Sequence, residues 1–336
     1  MGQVRILSEA DVRRLVTPLE AQAAVEQAFQ DFANGISRMA ARVTVPIPDI
    51  VGNIRILPAV KVLPTPRPMP PTRGFLGVKV YTGYVGPVFK DMSKDRFTVL
   101  LYDMESGALL SIIAARWLGA LRTGATAAVA TKHMANPGAT RLCVIGAGEQ
   151  GETQALNLAA LMKPARIVGA DQSTSALDSF AARLREAGLT IDVTTDLEAA
   201  ARESDVICLS TTSRAPIVKT AWVRPGTHVN AIGANVANRR EVEVDLLKSS
   251  RIVVEYREQA LQEAGDLVVP IKAGEITADV IAAELGEVLT GAKPGRTSKD
   301  EITLFKSIGV AIEDVAVAAM AYDKAVGQRV GAVVEM

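Results

Sequence analysis

The spacing of hydrophobic and polar positions changes rhythm near residue 121. From there on, short apolar runs alternate with amphipathic stretches, and strands are expected at 141–146, 166–170, 190–194, 205–209, 227–232 and 251–255. With helical segments between them, this is the rhythm of a doubly wound α/β sheet. Before residue 121 the pattern is mixed. The first 35 residues read as helical, with Thr17-Pro18-Leu19-Glu20 combining an N-cap, a proline at the first helical position and a reciprocal glutamate, and Gly35 as the stop. Extended pieces follow at 42–47 and 53–57. Six prolines then fall between Pro58 and Pro71, where neither a helix nor a central strand is expected to continue. Strands resume at 75–81 and 97–103, with a turn at Glu105-Ser106-Gly107, so this part reads as α+β with antiparallel strands. Residues 302–326, ITLFKSIGVAIEDVAVAAMAYDKAV, read as one long apolar helix outside the alternating rhythm. The expected domains are therefore 1–120 completed by 305–336, and 121–304. The chain would cross between them twice, with the active site in the cleft.

Within the alternating part, residues 141–171 read RLCVIGAGEQGETQALNLAALMKPARIVGAD: strand, glycine turn, helix, second strand and a closing aspartate. This is the context a dinucleotide-binding fingerprint requires. Gly146 makes the tight turn, Gly148 lets backbone N–H groups approach a pyrophosphate, and Gly151 lets the helix pack closely. The helix N-terminus then faces the phosphates. Asp171, 20 residues beyond Gly151, is placed to accept from an adenosine ribose and would repel a 2′-phosphate, which favours NAD over NADP.

Composition narrows the field. At 336 residues the chain exceeds what one core usually organises, in keeping with two domains. Lys plus Arg and Asp plus Glu are 37 each, so there is no basic field for nucleic acid or an anionic membrane. No apolar run reaches the roughly 18 residues of a membrane span, and MGQVRILSEADVRR lacks a signal-peptide core, so a cytoplasmic protein is expected. Cys143 and Cys208 fall inside expected buried strands. With His133 and His228 as the only histidines, no metal site is expected.

Four cations interrupt segments that otherwise read as buried: Arg42 in ARVTV, Arg55 in NIRILP, Lys79 in FLGVKVYTG and Arg122 in GALRTGATAAVAT. Buried cations need partners. Each could pair with a structural acid, but four beside a nucleotide domain favour an anionic substrate. Arginine grips a planar carboxylate with paired hydrogen bonds, and a lysine desolvated among cations has a lowered pKa suited to proton transfer.

The segments GVKVYTG, LLYDMESG, LGALRTGATAAVAT, VIGAGEQG, HVNAIGANVANRREV and EITLFKSIGVAIEDVAVA resemble the ornithine cyclodeaminase and mu-crystallin family, which includes archaeal-type alanine dehydrogenase and imino-acid (ketimine) reductases. The resemblance spans about residues 40–320. It implies a homodimer formed through the N-terminal domain, and a cleft where NAD(P) meets an amino or imino acid. Carried over by position, Arg42, Lys79 and Arg122 hold the substrate carboxylate and lie against the reacting carbon. Glu149 and Gln150 are phosphate-loop contacts, Asp171 the ribose contact, and Thr211 and Arg239 further cofactor contacts. Ser307 and Ile308 lie on the returning helix and touch nicotinamide and substrate respectively.

Two departures bear on the chemistry. Cyclodeaminases carry an aspartate where this chain has Asn235 and a glutamate where it has Arg55. An amide has no useful basicity near neutral pH, which speaks against ring closure of ornithine. Hydride transfer between nicotinamide and a carbon bearing nitrogen and carboxylate remains, with Lys79 managing the proton and Asn235 orienting the imine. A cyclodeaminase and a non-catalytic NAD(P)H-binding protein of the mu-crystallin type are the alternatives. Arg55 is expected to line the substrate pocket unless it turns toward a local acid such as Asp49.

Overall fold

A computed structural model of the chain describes residues 2–46, 52–62, 74–84 and 96–336. The chain divides into two compact units, Met1–Arg122 with Val310–Met336, and Thr123–Gly309.

The first unit opens with a strand. Residues Gln3–Leu7 form β1, so the expectation of continuous helix over the first 35 residues is corrected. Its partners lie far along the chain, beyond the reach of local pattern. The helices α1 (Glu9–Leu15) and α2 (Pro18–Ala33) follow. In α2 the expected capping box is present: the Thr17 N–H donates to Glu20 Oε2 at 2.9 Å, and the Glu20 N–H returns to Thr17 Oγ1. Gly35, at φ +71°, turns the chain out of it.

Then come β2 (Arg38–Met39), β3 (Val43–Pro46), β4 (Gly52–Val62), β5 (Gly74–Tyr84), β6 (Arg96–Asp103) and β7 (Leu109–Ala114). With β16 (Ala332–Glu335) they form a sheet of order β16-β1-β7-β6-β5-β4-β2, with β3 also on β4. Its pairs are antiparallel, as expected, except β1 with β7. Contrary to expectation, β4 runs through Pro58. β3 pairs with β4 up to Ile56 and β2 from Ala59, so Pro58 falls in the gap where no ladder donor is required. Residues 63–73, which hold the other five prolines, and Asp49 lie outside the described residues.

The second unit takes up α3 (Arg116–Met134) from Thr123 onward, then β8 (Arg141–Ile145), α4 (Glu149–Met162), β9 (Arg166–Ala170), α5 (Thr174–Glu186), β10 (Asp192–Thr194), α6 (Leu197–Arg202), β11 (Val206–Leu209) and β12 (His228–Ala231). It continues with α7 (Val244–Ser249), β13 (Ser250–Val254), α8 (Arg257–Glu263), α9 (Gly265–Lys272), β14 (Ile281–Glu284), α10 (Leu285–Leu289) and β15 (Ile302–Lys306). All eight strands are parallel, in the order β10-β9-β8-β11-β12-β15-β13-β14. β8, β11 and β12 are buried on both faces, as parallel strands covered by helices must be. Strand order reverses between β8 and β11, and ligands of open α/β sheets bind at such a point, outside the strands' carboxyl ends.

The long helix expected over 302–326 is corrected. Residues Ile302–Lys306 are a central strand, and only Ala311–Gln328 form the helix α11. An unbroken apolar run fits either element by periodicity alone. Gly309, at φ +75°, breaks it. α11 belongs to the first unit, where it packs on α2 and across β4, β5 and β6.

Candidate active site

In the first unit, sheet register builds one face. Leu57, Lys79, Val99 and Ile113 are cross-strand neighbours, and so are Arg55, Tyr81 and Phe97. Side chains two apart on a strand share a face, so Arg55, Lys79 and Tyr81 stand together. α11 lies against this face because residue 77 is glycine: a Cβ there would meet Val315 Cγ2 at 2.6 Å. That approach brings Asp314 to Lys79.

Lys79 is 2% exposed, and its ammonium lies 2.7 Å from Asp314 Oδ2. Arg122 donates from Nε to Asp314 Oδ1 at 2.9 Å and from Nη1 to Glu313 Oε2 at 2.6 Å. Glu313 Oε1 also accepts the Val310 N–H, so one carboxylate caps α11 and holds the arginine. Burial, and after it the Arg122 charge, pushes Lys79 down to about 8, while Asp314 opposes the shift and Arg42 adds to it. Arg55 donates to the Tyr81 hydroxyl at 2.8 Å, and its guanidinium lies 5.4 Å from the centre of that ring. Lys79 Nζ is 5.7 Å from the same ring. Arg42, Arg55, Lys79 and Arg122 thus fall into one neighbourhood. Lys79 and Arg122 also carry structural carboxylates, which sequence reasoning had set against substrate binding; Arg55 bonds a tyrosine hydroxyl.

In the second unit the glycine turn has the geometry a dinucleotide needs. Gly146 has φ +108°, and a Cβ on it would meet Ser210 O at 2.7 Å. At Gly151 a Cβ would lie 2.0 Å from Gly146 O, so only glycine lets α4 start here. Beside Gly148 the space is open, and this residue caps α4 without a side chain, leaving the helix N-terminus to a ligand. Glu149 and Gln150 stand in the first turn. Asp171, just past β9, accepts the Ala147 N–H at 2.9 Å and the Ser173 N–H at 2.9 Å. Its carboxylate is fixed against the turn, and a carboxylate has about four acceptor directions, so it retains capacity for a ribose.

Sequence reasoning missed two buried glutamates. Glu241 accepts from Thr211 N (2.7 Å), Thr211 Oγ1 (2.9 Å), Gly233 N (2.7 Å) and Ala234 N (3.0 Å). Burial drives its carboxyl upward; four donors and the Lys306 charge act to keep it an anion. Asp266 accepts the Glu241 and Val242 N–H groups and lies 3.0 Å from Lys306 Nζ, which in turn donates to Ala231 O. The second glutamate, Glu255, accepts from Ser307 Oγ at 2.6 Å and from the Ile308 and Gly309 N–H groups. Ser307 and Ile308 therefore lie in the turn after β15, not on the helix, and both are buried.

A scan of family models matches residues 3–329 to the ornithine cyclodeaminase/mu-crystallin family. Ketimine reductase mu-crystallin of Rattus norvegicus is 31% identical over 309 residues, covering 92% of this chain and 91% of the relative. An archaeal alanine dehydrogenase dimer with bound NAD superposes with TM-score 0.90 at 33% identity, covering 100% of both chains. The Thermococcus litoralis Δ1-pyrroline-2-carboxylate reductase in complex with NADH and L-proline does so with TM-score 0.90 at 33% identity, over 98% and 99%. The chain belongs to the ornithine cyclodeaminase/mu-crystallin family.

Other residues expected from the family pattern fall in the second unit. Asn235 is half-buried just past β12 and donates its N–H to Gly233 O. Arg239 is half-buried, with its carbonyl against Gly265, where a Cβ would lie 2.0 Å away. Cys143 and Cys208 are buried in strands, and desolvation pushes the Cys143 thiol up to about 12 and Cys208 still higher. His228 is wholly buried against Thr303 and Asn230 and is pushed down to about 3, so it stays neutral. Among the described residues no cluster of potential metal ligands occurs, and no helix is long and apolar enough to cross a membrane.

Proposed function

We propose that this protein is an NAD-dependent imino-acid reductase, or an amino-acid dehydrogenase in the reverse direction. Hydride passes between nicotinamide and the α carbon of a small imino or amino acid. The observation that carries this reading is Lys79: a buried ammonium, paired with Asp314, flanked by Arg122 and lowered to about 8. A group titrating near working pH can give and take a proton. The family membership and the relatives' reductase and dehydrogenase activities support it.

The second unit holds NAD at Gly146, Gly148, Gly151, Glu149, Gln150, Asp171, Thr211, Arg239 and Ser307. Asp171 disfavours the 2′-phosphate of NADP by charge. Reduced nicotinamide supplies the hydride when bound. In the first unit, Arg42 and Arg122 hold the substrate carboxylate, Asp314 fixes the Lys79 ammonium, and Lys79 gives a proton to the imine nitrogen. Asn235 orients that nitrogen without titrating, and Ile308 contributes an apolar contact to the substrate.

The working form is a homodimer. Across β4 to β7 the side chains of Pro58, Val78, Leu100 and Ile112 form a cross-strand row on the face away from Lys79, all half-buried in a single chain. A row of that composition is the kind of surface a second copy covers. The archaeal neighbour described as a dimer supports this reading. The protein is expected to act in the cytoplasm.

The test is consumption of NADH by the purified protein with pyruvate plus ammonia, cyclic imino acids and iminosuccinate. Loss of nicotinamide absorbance with at least one of them is expected. No turnover across the panel, or ammonia release from ornithine at catalytic NAD, would overturn the reading.

A further inference from the structure

The loop at the carboxyl end of β11 borders the point where strand order reverses, and a single side chain ties it to the loop after the neighbouring β12. Ser210 is packed on the glycine turn, its hydroxyl donating to Gly146 O at 3.2 Å, so the next residue, Thr211, borders the dinucleotide site. Thr211 gives both its N–H and its hydroxyl proton to Glu241 Oε1, while Glu241 Oε2 takes the Gly233 and Ala234 N–H groups from the β12 loop. Three backbone N–H groups and the Thr211 hydroxyl converge on its two oxygens, offsetting the cost of burial, and a carboxylate so occupied only accepts. It is held from behind through its own N–H, which donates to Asp266 Oδ1 at 2.7 Å, and Asp266 is paired with Lys306. A hydroxyl has one proton. Once that proton is committed to Glu241, the Thr211 oxygen can only accept, and Ser213 N occupies one side of it at 3.3 Å.

We propose that Glu241 is a positioning residue for the cofactor: it fixes Thr211 Oγ1 as an acceptor, so the group bound there is a hydrogen-bond donor. That donor is a ribose hydroxyl or the nicotinamide carboxamide NH2; a phosphate oxygen would find no proton there. The proposal rests on the dinucleotide reading of this unit and adds the polarity of one contact to it.

The experiment is a double-mutant cycle on NADH affinity, measured by calorimetry for wild type, Thr211→Val, Glu241→Gln and the double variant, with Thr211→Ser as the conservative rescue. Each single substitution is expected to weaken NADH about tenfold, the effect of one hydrogen bond. The double variant should be no weaker than either single, and Thr211→Ser should bind like wild type. Losses that multiply, or a Thr211→Val protein that binds like wild type, would overturn the proposal. Should Glu241→Gln fail to fold, Glu241→Asp, which keeps the charge but withdraws it from Thr211, takes its place in the cycle. Repeating the Thr211 pair with the acetylpyridine analogue of NADH, which lacks the carboxamide NH2, separates the two donors. Loss only with NADH assigns the carboxamide, and equal loss with both assigns a ribose hydroxyl. Wild-type protein that does not bind NADH would instead sink the dinucleotide reading.

Discussion

At the scale of residues, the chemistry is concentrated in one lysine whose surroundings were half visible in the sequence. Lys79 and Arg122 are conspicuous as cations in apolar segments. Their acids, Glu313 and Asp314, lie 191 and 192 residues beyond Arg122 and further still from Lys79, in a helix that reads simply as apolar. The same holds for Glu241, whose charge in GANVANRREV looks like one more surface group until its four donors are seen. Because Lys79 is lowered to about 8 by burial and by Arg122, it carries its proton below that pH and loses it above. The kcat/KM for imine reduction, which needs the acid form, should fall as pH rises through about 8. Amino-acid oxidation, which needs the base, should rise through the same region, and pH–rate profiles in both directions check this. Arg55 offers a second test. Among the described residues its hydrogen bond goes to Tyr81 rather than to a carboxylate, so a second carboxylate on the substrate would be attracted and a cationic side chain repelled. Replacing Arg55→Gln should lower the ratio of activity on dicarboxylic to monocarboxylic imino acids by about tenfold or more, as loss of a charge-assisted contact would. An unchanged ratio would make Arg55 structural.

Among elements, the decisive contact is α11 on β5. A glycine at 77 lets Val315 close on the sheet and places Asp314 within reach of Lys79. Gly77→Ala should therefore cost about 1–3 kcal/mol by overpacking. Gly327→Ala, exposed on the same helix with nothing near its Cβ, should be neutral or stabilising by up to about 1 kcal/mol. Urea unfolding of the two variants measures the contrast. The β/α rhythm and the glycine turn were legible because strand, helix and turn residues are local signals. β1 and β15 were not, since β1 is made by partners at β7 and β16, and β15 is an apolar run that sequence cannot separate from α11.

For the whole molecule, the sequence showed a change of rhythm near residue 121, close to where the first compact unit gives way to the second at Arg122. The return of the chain was legible only as an apolar stretch that broke the pattern. Assembly makes a separate prediction. Leu100 sits mid-row on the half-buried face shared with Val78 and Ile112, so Leu100→Glu should place a charge in the dimer interface. Light scattering should then find a monomer where the wild type is a dimer; a dimer in both would move the interface elsewhere.

The central claim is that Lys79 carries the proton of an imino-acid reduction. The most direct measurement is single-turnover oxidation of NADH by wild type and Lys79→Met with the best imino acid of the panel, alongside NADH affinity. The variant should bind NADH as wild type does and lose turnover by at least about 100-fold, the contribution expected of a general acid. A Lys79→Met protein that keeps most of its rate would contradict the account.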